Sequence, residues 1–237
     1  MKLVIDADTL LYQALTFATE EVTFDQVEYT LHCNHVKARE SFDYHLEKIR
    51  KMCAHDSYVL CFTSDNNFRK AVLPTYKATR AGTRKPLGYK AFRAKIMDEF
   101  KSIMKDGLEA DDVVGILGTK LENAIMWSDD KDLKQIPGRH LNSEGFEFHV
   151  TPEEGHAFFL LQTLTGDNVD NYSGCPGIGP KKAESILGKS CTWEAVVETY
   201  EKAGLTEADA LVQARCARIL RHGEYDSDTR TPTLWTP

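Results

Sequence analysis

Leu3-Val4-Ile5-Asp6 is a short apolar run that stops at a carboxylate, and the pattern returns along the chain. Ile125-Met126-Trp127 leads to Asp130-Lys131-Asp132, and Leu161 to Thr165 leads to Asp167-Asn168-Val169-Asp170. A fourth group, Glu109-Ala110-Asp111-Asp112, opens a helical segment. Apolar runs alternating with helical segments predict a parallel sheet. Such α/β folds bind their ligands along the edge where the strands' carboxyl ends gather. Eight carboxylates (Asp6, Glu109, Asp111, Asp112, Asp130, Asp132, Asp167, Asp170) brought to one edge repel one another unless cations bind among them. Hard oxygen ligands suit Mg²⁺ or Mn²⁺. The pattern therefore predicts a metal-dependent phosphoryl-transfer site.

Working outward, residues 2–5 and 58–62 read as strands, and 9–18 as a helix. Residues 36–53 have helical period, with Phe42, Leu46, Ile49 and Met52 on one face. The segment 69–88 is punctuated by Pro74, Gly82, Pro86 and Gly88, as in a projecting loop or broken helices. Helices are expected at about 88–104 and 108–122, and strands at 124–128 and 146–150. Thr151-Pro152-Glu153-Glu154 is a helix start, with Thr as N-cap and Pro at the first helical position. Beyond it the pattern is helix and turn. The expected organisation is an α/β domain over 1–150, carrying a basic arch at about 69–95, and a helical subdomain over 151–237.

The 237 residues, 42% hydrophobic and 27% charged, suffice for one good core and a small appendage. No apolar run reaches the roughly 18 residues of a membrane span. The N-terminus enters a strand at once, which leaves no room for a signal peptide. Six cysteines without a C-x-x-C pair suggest reduced thiols and a cytoplasmic protein. Cys33-Asn34-His35 and Cys53-Ala54-His55 hold zinc-ligand types, but their spacing is unusual and both lie on or near an amphipathic helix, so buried thiols are the simpler account.

A net charge of −7 argues at first against a nucleic-acid partner. Its placement argues the other way. Without the eight candidate ligands the chain is about neutral, and from Asn66 to Met97 there is no Asp or Glu. Arg69, Lys70, Lys77, Arg80, Arg84, Lys85, Lys90, Arg93 and Lys95 lie in that stretch, a footprint for a polyanion. A second device is Gly177-Ile178-Gly179 before a helix opening at Pro180, with Lys181 and Lys182. Glycines admit a phosphate close to the backbone, and the next helix's first N–H groups point at it. This reads as a helix–hairpin–helix over about 157–188 that grips phosphate without reading sequence. Each feature has a plainer account: acids complement a helix dipole or cap a turn, lysines line a solvated face, and glycines make an ordinary interhelical turn.

The ordered set of motifs resembles the 5′-nuclease family: flap endonucleases and the 5′–3′ exonucleases of phages and of bacterial DNA polymerase I. The motifs are Leu3 to Asp8, Phe68-Arg69-Lys70 with Tyr76 to Arg80, Leu108 to Asp112, Ser128 to Gln135, Thr165 to Asn171, and Pro176 to Ala183. They span residues 3 to about 190. The tail, Ala217 to Tyr225 and Leu234-Trp235, looks most like the 5′–3′ exonucleases of T7-like phages. The resemblance implies a PIN-like α/β nuclease fold and hydrolysis to 5′-phosphate products by two metal ions. Asp6, Glu109, Asp111 and Asp112 would hold one ion, directly or through water, and Asp130, Asp132, Asp167 and Asp170 the second. Lys77 and Arg80 would reach the scissile phosphate, and Tyr76 would stack on a base or pack in its own loop. The resemblance further implies Mg²⁺ (or Mn²⁺), K⁺ at the hairpin, and DNA with a free 5′ end or 5′ flap as substrate. An RNA–DNA hybrid is a further implied substrate, and the setting would be a monomer in phage DNA replication or degradation.

One position departs from the family. An Asp usually follows the second strand directly, six residues before the Phe-Arg pair; here Phe62 stands there, and Asp65 lies three before Phe68. Asp65 either reaches the metal from a shortened loop or caps the next helix. Asp8 and Asp129 are extra acids read as supporting or capping groups. Two other readings compete. One is a haloacid-dehalogenase-like phosphatase using Asp6 and Asp8, which leaves the basic segment and the hairpin without a use. The other is a DNA-binding module with an inactive acidic cluster.

Overall fold

The computed structural model describes residues 1–80 and 82–237; Ala81, inside the predicted arch, lies outside the described residues. In chain order come β1 (Lys2–Asp6), α1 (Asp8–Phe17), the hairpin β2 (Thr19–Thr23) and β3 (Tyr29–Cys33), α2 (His35–Met52) and β4 (Ser57–Phe62). The short α3 (Arg69–Val72) and a 3₁₀ turn (Ala78–Arg80) lead to α4 (Tyr89–Glu99) and β5 (Ser102–Met104). Next come α5 (Ala110–Lys120), β6 (Ala124–Trp127), a 3₁₀ turn (Lys131–Gln135), β7 (Gly138–Leu141) and β8 (Glu147–Val150). The helices α6 (Pro152–Thr165), α7 (Pro180–Leu187), α8 (Trp193–Lys202) and α9 (Glu207–Ala217) follow, then a small ribbon of β9 (Tyr225–Asp226) and β10 (Thr231–Pro232).

The main sheet has the order β5-β4-β1-β6-β7-β8, parallel throughout except for β8, which pairs antiparallel at one edge. Period-2 alternation sends the two faces of β1 into different cores. Leu3 and Ile5 join Leu60, Phe62, Ile125 and Trp127 under α1, α2 and α4. Val4 faces the opposite way, with Val59, Cys61 and Met126, under Val113, Val114 and Leu117 of α5. In register, Ile5 lies beside both Leu60 and Trp127, so β1 and β6 reach the same sheet edge and Asp6 projects from it. A third apolar cluster joins α6, α7, α8 and α9, and Tyr76 from the basic segment is buried in it.

The helix expected over 88–104 ends at Glu99, and Ser102–Met104 instead pairs with β4 as the edge strand. A three-residue apolar segment is too short to show a period of its own. The basic segment forms broken helices that partly pack down, with Val72 and Leu73 against the helical cluster. The hairpin β2–β3, the strand β7 and the ribbon β9–β10 had no clear signal in the sequence.

After α9 the chain returns to the α/β layer. Ile219 and Leu220 are buried against α5, and Gly115 of α5 admits them. A Cβ at Gly115 would stand 2.5 Å from the Leu220 carbonyl oxygen and 2.9 Å from Ile219 Cγ2. Ala in place of Gly favours a helix by about 1 kcal/mol, but overpacking against a backbone atom costs about 1–3 kcal/mol. Gly115→Ala is therefore expected to destabilise the fold, with a lower urea midpoint. A higher midpoint would show that the tail does not press on α5.

Candidate active site

Asp6 is buried at the end of β1, where its carboxylate accepts from the Asp8 N–H (3.2 Å) and the Ser128 hydroxyl (3.2 Å). Burial, then the charges of Asp8 and Asp130, push its pKa up to about 7. Asp130 caps the 3₁₀ turn after β6, accepting from the Asp132 N–H at 2.9 Å. Asp132 accepts from the buried Gln162 amide at 2.6 Å, and its pKa is pushed up to about 6 by burial and by Asp130.

Asp167 and Asp170 sit on a tight ring between α6 and α7. Gly166 (φ +66°) and Gly174 (φ +64°) lie back to back there, and a Cβ on either would meet the other's backbone nitrogen within 2.5 Å. Only glycine permits that closure. The ring is completed by paired hydrogen bonds between Asp167 and Tyr172, and Asp167 accepts from the Val169 and Asp170 N–H groups.

Glu109 caps α5. It is buried, and it accepts from the Tyr76 hydroxyl (2.9 Å), Arg69 Nη1 (3.3 Å) and the Lys77 ammonium. Burial favours its neutral form, but Lys77 and Arg69 overcome that and hold its pKa down to about 2. Asp111, next along, lies well above the usual carboxylate range because of burial and the neighbouring charges of Asp112 and Glu109. Asp112 is wholly buried, with both oxygens on the Arg69 guanidinium at 2.7 Å.

Basic side chains lie among the acids. Lys77, whose backbone is in the left-handed region (φ +54°), reaches Glu109 and Asp170 at once. The half-exposed Arg80 donates to Asp170 at 2.9 Å, and Lys131 pairs with Asp167 at 3.2 Å. Among the described residues no three His, Cys, Asp or Glu side chains converge closely enough to wrap an ion as they stand. The donors nevertheless fit one. They are carboxylate oxygens, and the raised values at Asp6, Asp111 and Asp132 mark negative charge that the lysines and arginines leave uncompensated.

Three expected site residues have partners other than a metal ion or DNA. Asp65 pairs with Lys90 (3.1 Å) and Arg93 (3.0 Å) of α4, and among the described residues none of its hydrogen bonds or ion pairs reaches the other acids. The strand before it ends in Phe62, which is buried in the core. Arg69, expected on DNA, is 1% exposed and committed to buried acids. Tyr76, expected either to stack on a base or to pack in its own loop, is 2% exposed; it lies over Tyr172 and donates to Glu109 and Asp170. Both are drawn inward because the buried acids need donors. Lys70, Arg84 and Lys85 remain exposed.

Asp8 accepts from the Thr63 N–H and the Tyr89 hydroxyl, and Asp129 from the Ser143 N–H, so both tie loops together. At the hairpin, Gly177 (φ +74°) and Gly179 face open space, and α7 begins without a side-chain cap on its first amides. Lys181 and Lys182 are exposed, and Lys182 donates to the Gly177 carbonyl at 2.8 Å. Ser128, Gln135 and Gln162 were missed as site residues. Ser128 and Gln135 bound one of the quoted motifs, but nothing local shows their roles, and nothing near Gln162 marks it, since the partners lie far along the chain. The four Cys and His residues weighed for zinc make no such cluster among the described residues, and all six cysteines are free.

The family described as 5′–3′ exonuclease, N-terminal resolvase-like domain, matches residues 1–151. The exodeoxyribonuclease of Enterobacteria phage T3 is 32% identical over 279 aligned positions, covering 99% of this chain and 92% of that protein. The exonuclease of Escherichia phage T7 is 31% identical, covering 99% and 93%. Among solved structures, the phage T5 D15 protein co-crystallised with metal ions aligns with a TM-score of 0.64 at 17% identity, covering 90% of this chain and 87% of that one. The catalytic core of Rad2 in complex with DNA substrate aligns with a TM-score of 0.52 at 15% identity, covering 86% and 66%. At those identities the structural likeness concerns the fold.

The raised pKa of Asp6 has a sign that can be read in solution. Its folded value (about 7) exceeds its ordinary 3.8, so the folded chain holds the proton more tightly than the unfolded one. Stability from this group is intact below about pH 4 and is lost as pH rises towards 7. In EDTA, Asp6→Asn is expected to raise the thermal midpoint over the unsubstituted chain by several degrees at pH 8 and by much less at pH 5. An equal effect at both pH values would show that Asp6 is not held protonated.

Proposed function

The chain belongs to the 5′–3′ exonuclease family and is a nuclease, and on that premise we propose that it hydrolyses DNA from a free 5′ end or at a 5′ flap with divalent metal ions. The observation that carries this reading is Lys77 bridging Glu109 and Asp170, acids of two separate segments, with Arg80 on the same Asp170. Asp6, Glu109, Asp111 and Asp112 on one side, and Asp130, Asp132, Asp167 and Asp170 on the other, would hold Mg²⁺ or Mn²⁺, which when bound would supply an activated water and stabilise the leaving 3′ oxygen. The lysine and arginine now paired with these acids compete with the ions for the same oxygens.

Lys77 and Arg80 are the residues that meet the scissile phosphate. Lys77 is held above the ordinary lysine range: burial opposes its charge, but Glu109, Asp111 and Asp170 outweigh burial, so it stays an ammonium through neutral pH. A fixed cation there offsets the negative charge that develops on the phosphoryl oxygens. Lys70, Arg84 and Lys85 supply further exposed cations, and the open hairpin at Gly177 and Gly179 with Lys181 and Lys182 grips backbone phosphate. Backbone carbonyls of the hairpin suit K⁺, with the Lys182 ammonium already on that of Gly177. Phosphate grips read no base edge, so an RNA–DNA hybrid is within reach of the same surface. Action as a monomer is part of the proposal. Among the described residues no helix is long and apolar enough to cross a membrane. The relatives in phages T3 and T7 are exonucleases, and the proposed setting is phage DNA replication or degradation in the host cytoplasm.

The test is a 5′-labelled duplex with a 5′ tail, incubated with Mg²⁺ or with EDTA. Magnesium-dependent release of short 5′-phosphorylated products is expected; mononucleotides indicate exonuclease cutting and tail-length fragments indicate flap cutting. Duplex that stays bound but intact with every divalent ion tried would leave a DNA-binding module with an inactive acidic cluster.

A further inference from the structure

Arg69 makes five hydrogen bonds with its five N–H groups. Nε donates to the Cys216 carbonyl (3.0 Å), Nη1 to Asp112 (2.7 Å) and Glu109 (3.3 Å), and Nη2 to Asp112 (2.7 Å) and the Arg218 carbonyl (2.5 Å). The guanidinium has no further donor to offer. Asp112 is as fully used. Its Oδ1 accepts from Arg69 and the Leu220 N–H (3.1 Å), and its Oδ2 from Arg69 and the Glu109 N–H (3.2 Å). A carboxylate has about four lone-pair positions, and here four donors occupy them.

From this geometry we infer that Asp112 is not a metal ligand but, with Arg69, a positioning pair that anchors Glu109 to the C-terminal tail. The inference rests on the nuclease reading above and assigns one of its acids a different task. The chain of contact is continuous: the carbonyls of Cys216 and Arg218 fix the guanidinium, the guanidinium fixes Asp112, and Asp112 holds the backbone of Glu109. Arg69 also touches the Glu109 side chain directly. The same tail reaches the other acids. The Ile219 N–H donates to Gln135, the Gln135 amide donates to Gln162 and to the Ala217 carbonyl, and Gln162 donates to Asp132. A planar five-donor fork is needed at residue 69, and lysine, with three donors on a single atom, cannot replace it.

Binding and cutting separate this role from that of a ligand. Free Mn²⁺ is followed by electron paramagnetic resonance as it is titrated into the full chain, and single-turnover cleavage of the tailed duplex is measured beside it. Asp112→Asn and Arg69→Lys are expected to bind Mn²⁺ within about threefold of the unsubstituted chain, with an unchanged half-saturating DNA concentration, yet to cut at least about a hundredfold more slowly. Asp111→Asn, by contrast, loses tight binding of an ion. Because a buried charge left alone can unfold a chain, the paired variant Arg69→Met with Asp112→Leu provides the control. Apolar replacement of a whole buried ion pair keeps the fold, so this variant should melt cooperatively and cut as slowly as Arg69→Lys. Loss of an ion in Asp112→Asn, or cutting at the unsubstituted rate by the folded paired variant, would overturn the inference. An unsubstituted chain that cuts no DNA would instead refute the nuclease reading, and the Mn²⁺ titration would still decide whether Asp112 is a ligand.

Discussion

Buried negative charge has to be met by positive charge, and the fold is arranged around that requirement. The parallel sheet carries Asp6 to its carboxyl edge, α5 begins with Glu109, Asp111 and Asp112, and the ring between α6 and α7 brings Asp167 and Asp170. Repulsion among them is relieved in graded ways. Glu109 and Asp112 are neutralised by lysine and arginine, whereas Asp6, Asp111 and Asp132 are left with raised proton affinities. Of the first pair, Asp112 has every acceptor position taken by Arg69 and backbone donors and behaves as structure. The second set holds the charge that a divalent ion would take up.

The tail after α9 matters for the same reason. Its carbonyls and N–H groups supply partners to Arg69, Asp112 and Gln135, all of which are nine-tenths or more buried. Those groups could not be buried without partners, because an unmet charge or amide in the interior is costly. Gly115 lets the tail approach closely enough to make these bonds. The acid-bearing edge of the sheet and the last segment of the chain are thereby parts of one hydrogen-bonded unit.

Much of this was legible in the residues. The apolar runs ending in acids marked β1 and β6, and Thr151-Pro152 marked the start of α6, because strand and helix-cap signals are local. The same local pattern singles out the eight acids as candidates. What local patterns could not show was which of them turn inward. Arg69 and Tyr76 carry the same basic and aromatic signature as their exposed neighbours, and the partners that bury Arg69 (Glu109 and Asp112 some forty residues on, and the carbonyls of Cys216 and Arg218 beyond them) are set by the tertiary fold. The strand β5 and the hairpin β2–β3 escaped because three- and five-residue segments carry little period. In sequence Asp65 read either as a displaced ligand or as a helix cap, and its pairing with Lys90 and Arg93 is a tertiary choice.

The account turns on where divalent ions sit. Anomalous scattering from crystals of the unsubstituted protein soaked in Mn²⁺ addresses that directly. Two peaks are predicted, one against Asp6, Glu109 and Asp111 and one against Asp130, Asp132, Asp167 and Asp170, with none bonded to Asp112. No peak at this edge of the sheet, or peaks only elsewhere on the molecule, would contradict the account.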